Sequence, residues 1–467
     1  MASPARSITR FLLTAALTAG FVLQPIAAAA QPGLSLIRDT EIEETLKEDA
    51  APIFQAAGFD AKSVKIILIG SKDLNAFAGP GVMAVFTGLI LESKNPNELQ
   101  GVIAHEVGHL AGAHSARRGE MQTAGMVPMI LTMGLGVLAA MAGAGDAAGG
   151  LLVSAPYFGA IGQAGYGREQ ESRADQAGAT YMEKAGLSGK GLAEFFNNFR
   201  YQEVFSEAKR YKYFIDHPLS SARIDALQNR VAALPHYNVV DSPEAVARHA
   251  IMKAKLDGFI NPQVAIVKYA ETDKAYPARY ARAIAYYQLK EPDKALKLVD
   301  ALLADQPTNP YLWELKGQIL FEFGRQAEAE APQRKSVELK PDAPLLRINL
   351  GQTLIALDEK AKIQEGVGEL RKALLQDEEN AVAWRLLAEA YDRSGNDGLA
   401  RLATAEYNFN VGDVTQARVF AMRARELLNK NTPEWRRATD IVLVSKPSRD
   451  DLRDLSRDGS TGGSQLR

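Results

Sequence analysis

The chain has 467 residues, a formal net charge of −2 and no cysteine. It is long enough for more than one domain, and the lack of cysteine excludes disulfide bonds, a thiol nucleophile and a cysteine-linked lipid anchor. The nearly balanced charge gives no indication of a polyanionic partner, so we expect no nucleic acid binding.

The first 30 residues have the pattern of a secretory signal peptide. Arg6 and Arg10 precede an apolar stretch from Phe11 to Leu23, and a run of alanines ends at Ala30. This order of basic, apolar and small residues predicts export with cleavage near Ala30. The apolar stretch is short for a retained membrane anchor.

Two short strands are predicted next. Residues 64–69 and 82–87 are rich in β-branched and aliphatic side chains, and a Gly-Pro-Gly turn at residues 79–81 precedes the second run. As an edge strand, the segment between them would pair with an extended polypeptide substrate through main-chain hydrogen bonds. A simple hairpin without a ligand is the alternative. The segment consists of Asn75, Ala76, Phe77 and Ala78.

A helix with a metal-binding motif follows. Asn95 suits its N-cap and Pro96 its first turn. His105 and His109 are four residues apart, so both imidazoles lie on one helical face. Glu106 follows the first histidine, where it can reach a metal-bound water without binding the metal. This is zinc metalloprotease geometry; the alternative is a core helix with two hydrogen-bonded histidines.

Catalytic zinc takes three protein ligands and leaves one position for water. On a continuing helix His114 would point about 140° away from His109, so we interpret it as an exposed helix-end residue. Glu171 and Asp175 are also four apart, and a helix would present both to one side. Glu171 then binds zinc, while Asp175 accepts the second N–H of a ligating histidine. The alternative is a charged, solvated helix face.

The segment 121–167 contains one charged residue, Asp146. It fits either a transmembrane hairpin or glycine-interrupted helices that pack over the active site as a lid. Because a proline and several glycines interrupt the apolar stretch, we favour the lid or a contact with a membrane surface.

The C-terminal half repeats with a period of 34 residues. Ala283, Gly317 and Gly351 occupy equivalent positions, and residues 384–391 begin a further unit. This spacing predicts helix pairs of tetratricopeptide type, stacked in a solenoid with a concave surface for a peptide or protein. A helical scaffold without a ligand is the alternative. The glycine- and serine-rich residues 441–467 are predicted to be a disordered tail.

These motifs together resemble the HtpX/BepA-like family of zinc metallopeptidases, of the type in which tetratricopeptide repeats follow the peptidase domain. The resemblance covers most of residues 36–235. It implies one zinc ion held by His105, His109 and Glu171, with Glu106 as the base, and marks His217 and Arg223 as active-site residues. The motifs that carry it are residues 75–78, 87–89, 105–109, 171–175 and 217–223.

His217 has three interpretations. The resemblance implies that it occupies the fourth zinc position in a resting state, as an internal brake, since neutral imidazole competes with water for zinc. It could instead stabilise the transition state, or be an ordinary loop histidine before a helix that starts near Pro218. Arg223 would steady an oxyanion or a carboxylate.

The sequence thus predicts a mainly α protein with four parts. A signal peptide (1–30) precedes a zincin-like α+β metallopeptidase domain with a small sheet (31–240), an α-helical tetratricopeptide-repeat solenoid (241–440) and the tail (441–467).

The resemblance implies a periplasmic zinc endopeptidase that degrades misfolded or misassembled outer-membrane proteins. Its repeats would bind unfolded clients or the outer-membrane assembly machinery. The alternative is a chaperone or adaptor for outer-membrane protein assembly with a self-inhibited protease site. The presence of Glu106 favours catalysis, because a pure binding module has no use for it.

Overall fold

The computed structural model describes residues 35–79, 81–113, 126, 128–133, 145–200, 217 and 219–457. The predicted signal peptide, His114, Pro80 of the predicted turn and the last ten residues of the predicted tail lie outside the described residues.

A four-stranded sheet begins the described chain. Its order is β1-β2-β4-β3; β2 and β4 are parallel, and each outer strand is antiparallel to its neighbour. Alternate residues of the central strands, such as Leu68 and Met83, are buried against the helices. Both predicted strands are confirmed, and residues 76–78 of the predicted substrate segment lie in an edge strand, directly after Asn75. The strands are β1 (Ser35–Ile37), β2 (Lys65–Gly70), β3 (Ala76–Gly79) and β4 (Val82–Phe86).

Six of the helices in the described ranges form most of the rest of the peptidase region. The motif helix α3 starts as predicted: the Asn95 side chain accepts the Glu98 N–H at 2.8 Å, and Pro96 occupies the first turn. One apolar cluster joins α1, α3, α5 and α6 to the sheet. The helices are α1 (Thr40–Ala56), α2 (Thr87–Glu92), α3 (Pro96–Ala111), α4 (Gly145–Lys184), α5 (Lys190–Asn197) and α6 (Ser221–Ala232).

Helices α3 and α4 touch through their backbones. A Cβ atom added to Gly108 would lie 2.7 Å from the carbonyl oxygen of Ala174, and one added to Gly178 would lie 3.1 Å from the backbone of Ala104. Since glycine has no side chain, the two helices can approach this closely. The contact brings the motif residues of α3 close to Glu171 on α4.

The long helix α4 includes residues 145–167 of the apolar segment 121–167. Residues 121–125, 127 and 134–144 of that segment lie outside the described residues. Across the described ranges, no helix is both long and apolar enough to cross a membrane.

The predicted solenoid is confirmed as a series of antiparallel helix pairs. The small residues of the repeat lie where paired helices meet: a Cβ on Gly317 would be 2.5 Å from the Gln333 side chain, and one on Gly351 would be 2.9 Å from that of Leu370. The pairs are α9 (Tyr276–Gln288) with α10 (Pro292–Asp305), α11 (Pro310–Glu322) with α12 (Gln326–Leu339), α13 (Pro344–Ala356) with α14 (Lys360–Leu374), α15 (Ala381–Arg393) with α16 (Asp397–Asn410), and α17 (Val414–Leu427) with α18 (Pro433–Val444).

Helix α7 (Pro243–Ile260) joins the two regions, and the short helix α8 (Pro262–Lys268) follows it. Met252 and Leu256 belong to the core of the peptidase region. Ile251 and Phe259 of the same helix pack into the apolar cluster of the first repeats. Helix α7 is therefore a structural element of both regions.

The prediction of a disordered tail is wrong for residues 441–457. Helix α18 extends to Val444, and α19 (Arg449–Arg457) follows. Leu455 is fully buried against the end of the solenoid, while Asp451 pairs with Arg418 at 3.2 Å. The sparse leucines of α19 share one face, a pattern that the polar average composition of the tail conceals.

Candidate active site

Four side chains from three parts of the chain converge beside helix α3. His105 and His109 project from α3, Glu171 from α4, and His217 lies shortly before α6. One ligand atom from each lies within 4.8 Å of all the others. Both motifs predicted from the sequence therefore meet in space, and the cluster fits a metal site.

The donor atoms are close enough to bind one shared metal ion. The two Nε2 atoms of His105 and His109 are 3.0 Å apart, and the Glu171 oxygens lie 3.4 and 3.2 Å from them, respectively. The Nδ1 atom of His217 lies 3.1 Å from Glu171 and 3.3 Å from His105 Nε2. A zinc tetrahedron with bonds of about 2.0–2.1 Å has edges of about 3.3 Å. The nitrogen and oxygen donors present thus suit zinc in size and chemistry.

Asp175 and Arg223 form a second layer behind this cluster. Asp175 Oδ1 is 2.9 Å from His105 Nδ1, the ring nitrogen that faces away from the cluster. The Arg223 guanidinium donates to both oxygens of Asp175 and lies 3.0 Å from Glu171. A planar guanidinium suits such bidentate binding. Arg223 therefore contacts carboxylates on both sides, one of the two roles predicted for it.

Phe196 of α5 is a site residue that sequence reasoning missed. Its ring meets the His105 ring edge to face at 5.4 Å, and the Arg223 guanidinium lies 5.2 Å from its centroid. It is fully buried. The sequence offers little indication of this role. Phe196 is one of two adjacent phenylalanines in a short amphipathic helix, a pattern that predicts an ordinary core residue.

The charges of the cluster depend on one another. Burial alone would raise the pKa of Glu171, but the three imidazoles outweigh it and hold that pKa far below its usual range. Burial lowers the pKa of His109 to about 4. For His105 burial also acts downward, but Asp175 and Glu171 raise its pKa to about 9. Glu171 is thus an ionised carboxylate facing inward, as cation binding requires.

Glu106 is buried on the same helix as the two motif histidines. Its Oε1 atom lies 3.6 Å from Nε2 of His217. This carboxylate therefore borders the cluster on the side from which His217 enters.

The predicted substrate segment lies next to the motif helix. Strand β3 pairs with β4 on one side and packs against α3. The Asn75 carbonyl accepts the N–H of Phe86 at 3.0 Å, whereas the Phe77 side chain is 44% exposed. The segment thus presents an edge of the sheet, as predicted, and its use by a substrate stays a prediction.

The fold and the site define a metallopeptidase with an attached helical repeat domain. Residues 37–231 match the family model of peptidase family M48, and residues 280–344 match a tetratricopeptide repeat model. The predicted family resemblance is confirmed: the chain carries an M48 peptidase domain followed by tetratricopeptide repeats.

Two of three similar proteins match about three quarters of the chain, and the third matches about a third of it. A putative beta-barrel assembly-enhancing protease of Vibrio cholerae is 27% identical over 77% of this chain and 75% of the relative. The beta-barrel assembly-enhancing protease of Escherichia coli K12 is 26% identical over 76% of this chain and 74% of the relative. Metalloprotease LoiP of Escherichia coli K12 is 32% identical over 35% of this chain and 61% of the relative.

Proposed function

We propose that the protein is a periplasmic zinc endopeptidase that cleaves misfolded or misassembled outer-membrane proteins. The observation that carries the proposal is the meeting of His105, His109, Glu171 and His217 at zinc-ligand spacing, beside the buried Glu106. The names of the relatives support the choice of client, since two of them are beta-barrel assembly-enhancing proteases.

His105, His109 and Glu171 would hold the zinc ion. Bound zinc polarises a scissile carbonyl and lowers the pKa of a water molecule to about 7. Asp175 fixes the ring orientation of His105, and Arg223 holds Asp175 and Glu171 in place, because second-layer contacts of this kind orient metal ligands.

Glu106 supplies the general base. Its carboxylate takes a proton from the attacking water and returns it to the leaving amine. Its position on α3, one residue after His105, keeps it at the edge of the ligand cluster rather than within it. Burial of the carboxylate excludes bulk water, which strengthens its interaction with the reacting groups.

The position of His217 supports a second candidate function. Its Nδ1 atom lies 3.1 Å from Glu171 and 3.3 Å from His105 Nε2, where it would compete with water and substrate for a bound metal ion. A closed site of this kind supports the interpretation of His217 as a brake. It also supports the second candidate, a chaperone or adaptor for outer-membrane protein assembly whose protease site is self-inhibited.

Other surfaces of the protein would bind the client. Edge strand β3 would pair with an extended segment of an unfolded client. The repeats would bind the client or the assembly machinery, since solenoids of this type serve as binding surfaces. Ile130 and Leu131 are more than half exposed, which supports contact of the 121–167 segment with a membrane surface. The predicted signal peptide (1–30), peptidase domain (31–240) and repeat domain (241–440) complete the proposal.

Glu106→Gln tests the proposal directly. We expect the wild type to degrade an unfolded outer-membrane protein and to contain about one zinc ion per chain. Glu106→Gln should keep the zinc but lose at least 100-fold in rate, as expected when a general base is removed. Zinc content is measured by elemental analysis and cleavage by gel electrophoresis.

Glu171→Ala is the matched ligand variant. It should lose both zinc and activity, because two histidines alone leave the site incomplete. Equal cleavage by wild type and Glu106→Gln would contradict the peptidase proposal, and full zinc occupancy in Glu171→Ala would contradict the ligand assignment.

A further inference from the structure

The solenoid contacts its own peptidase region at its first two repeats and again in the loop after α14. At the first two repeats, Tyr311 donates to Glu44 of α1 at 2.6 Å, and Lys340 lies 3.0 Å from the same carboxylate.

The first contact is buried and involves α7 and the first repeats. Lys255 of α7 lies 2.7 Å from Asp39 and 3.1 Å from Glu41, and the Tyr280 hydroxyl donates to Glu41 at 2.9 Å. Lys255 and Tyr280 are at most 4% exposed. We call Lys255, Asp39, Glu41 and Tyr280 the anchor.

The second contact is ionic and lies more than 90 residues further along the chain than the anchor's Tyr280. Asp377, in the loop between α14 and α15, lies 2.9 Å from Arg38, which follows β1. Glu379 of the same loop lies 2.8 Å from Lys65, at the start of β2. The Lys65 and Glu379 side chains are 48% and 74% exposed. We call the pairs Arg38–Asp377 and Lys65–Glu379 the clasp.

The two contacts differ in apolar support. Helix α7 contributes side chains to the peptidase core and to the first-repeat cluster, so the anchor is embedded in apolar packing. Among the described residues, the apolar clusters of the distal repeats contain solenoid side chains alone. The distal repeats are thus held to the sheet by ion pairs. The Arg38–Asp377 pair is partly buried, with side chains 28% and 9% exposed, whereas the exposed Lys65–Glu379 pair is weak and is screened by salt.

A cavity of about 1120 Å³ lies between the two contacts. Its wall includes Leu36 of β1 and Ile67 of β2 on the peptidase side, and Phe321, Ile348 and Val382 on the solenoid side. Leu36 and Val382 are 60% and 48% exposed, so the cavity already opens to solvent. Its size therefore depends on how far the distal repeats stand from the β1–β2 edge.

We propose that the distal repeats, α13 to α18, form a strap that swings about the anchor and is held over the β1–β2 edge by the clasp. With the clasp closed, the strap faces this edge of the sheet across the cavity. With the clasp open, the edge and the inner face of the solenoid are exposed. The strap does not involve the metal ligands. The strap proposal can therefore be wrong while the proposed peptidase activity is right.

Spin-label distance measurements on the full-length protein test the strap. The chain has no cysteine, so Lys62→Cys with Arg385→Cys gives one labelled pair across the clasp. Lys62→Cys with Lys297→Cys is the matched control across the anchor, and all three side chains are exposed. Raising the salt from about 0.1 M to about 1 M shortens the screening length from about 10 Å to about 3 Å.

We expect high salt to shift the clasp distances to longer values and to leave the control distances unchanged. Lys65→Glu should cause the same shift at low salt, because it faces Glu379 with a like charge. Lys65→Glu combined with Glu379→Lys should restore the short distances. The proposal would be overturned if the clasp distances changed neither with salt nor with charge reversal. An equal shift of the control pair would also overturn it.

Discussion

At the scale of single residues, the site depends on contacts that cross long stretches of sequence. Spacing within one helix identifies His105 with His109 and Glu171 with Asp175, because residues four apart share a face. It cannot show that Arg223 reaches Asp175, since they lie on different helices 48 residues apart. Spacing also cannot show that the Phe196 ring packs against His105.

His217→Ala separates the two active roles of that histidine. If His217 fills the fourth zinc position at rest, its removal opens the site, so peptide cleavage should rise several-fold with zinc retained. Turnover of an unstructured peptide by the zinc-loaded variant is the measurement.

A fall in turnover at unchanged zinc would contradict the brake. It would show instead that His217 stabilises developing charge in the transition state, where loss of one such donor typically lowers the rate about 10²–10³-fold. Loss of zinc from His217→Ala would show that three ligands do not suffice in this site.

At the scale of elements, helix α7 is tied to the segment that precedes the motif helix. His249 of α7 is 3% exposed and lies 3.3 Å from both the hydroxyl and the carbonyl oxygen of Ser93, the residue after α2. Lys253, one turn later, donates to the same carbonyl. Burial, with a smaller effect of Lys253, lowers the pKa of His249 to about 4.

This histidine makes stability depend on pH. The unfolded chain protonates His249 near pH 6.5, whereas the folded chain does so only near 4, so its contribution is present above pH 6.5 and is lost as pH falls toward 4. Between about pH 7.5 and about pH 5 the free energy of unfolding should fall by roughly 2 kcal/mol from this group.

Urea unfolding of wild type and His249→Gln at the two pH values measures this effect. Glutamine does not titrate, so the fall attributed to His249 should be missing from the variant whatever its absolute stability. An identical pH dependence in both proteins would assign the acid sensitivity to other groups.

Local sequence patterns predict most of the helices and strands, but they do not predict which parts of the protein α7 and α19 pack against. The strands, the capped motif helix and the 34-residue period follow from neighbouring residues. Helix α7 has apolar residues on two sides because it serves two cores, so no single amphipathic face identifies its role. The ion pair between Arg38 and Asp377 joins residues 339 positions apart, and no local pattern encodes it.

At the scale of the whole molecule, we expect the anchor to make the two regions unfold together. Asp39, Glu41 and Glu314 surround the single ammonium of Lys255. Burial raises the pKa of Glu314 to about 8, although Lys255 lowers it. The carboxylates raise the pKa of Lys255 more than burial lowers it, so this lysine stays charged.

Lys255→Met should uncouple the two regions. Removing the cation from buried carboxylates typically destabilises a protein by about 3–5 kcal/mol. We expect calorimetry to show one unfolding transition for the wild type and two for Lys255→Met. Lys297→Met, at an exposed position of α10, serves as the control and should unfold as the wild type does. A single, unshifted transition in Lys255→Met would contradict the coupling.

Helix α7 also limits how this protein can be recombined. A cut before Pro243 would remove Met252 and Leu256 from the peptidase core, and a cut after Ile260 would leave Ile251 and Phe259 without their partners in the first repeats. Gene fusion or domain exchange at either point would therefore leave an unmatched apolar surface. A new repeat array can replace this one only if its first helices carry side chains that complement the far side of α7.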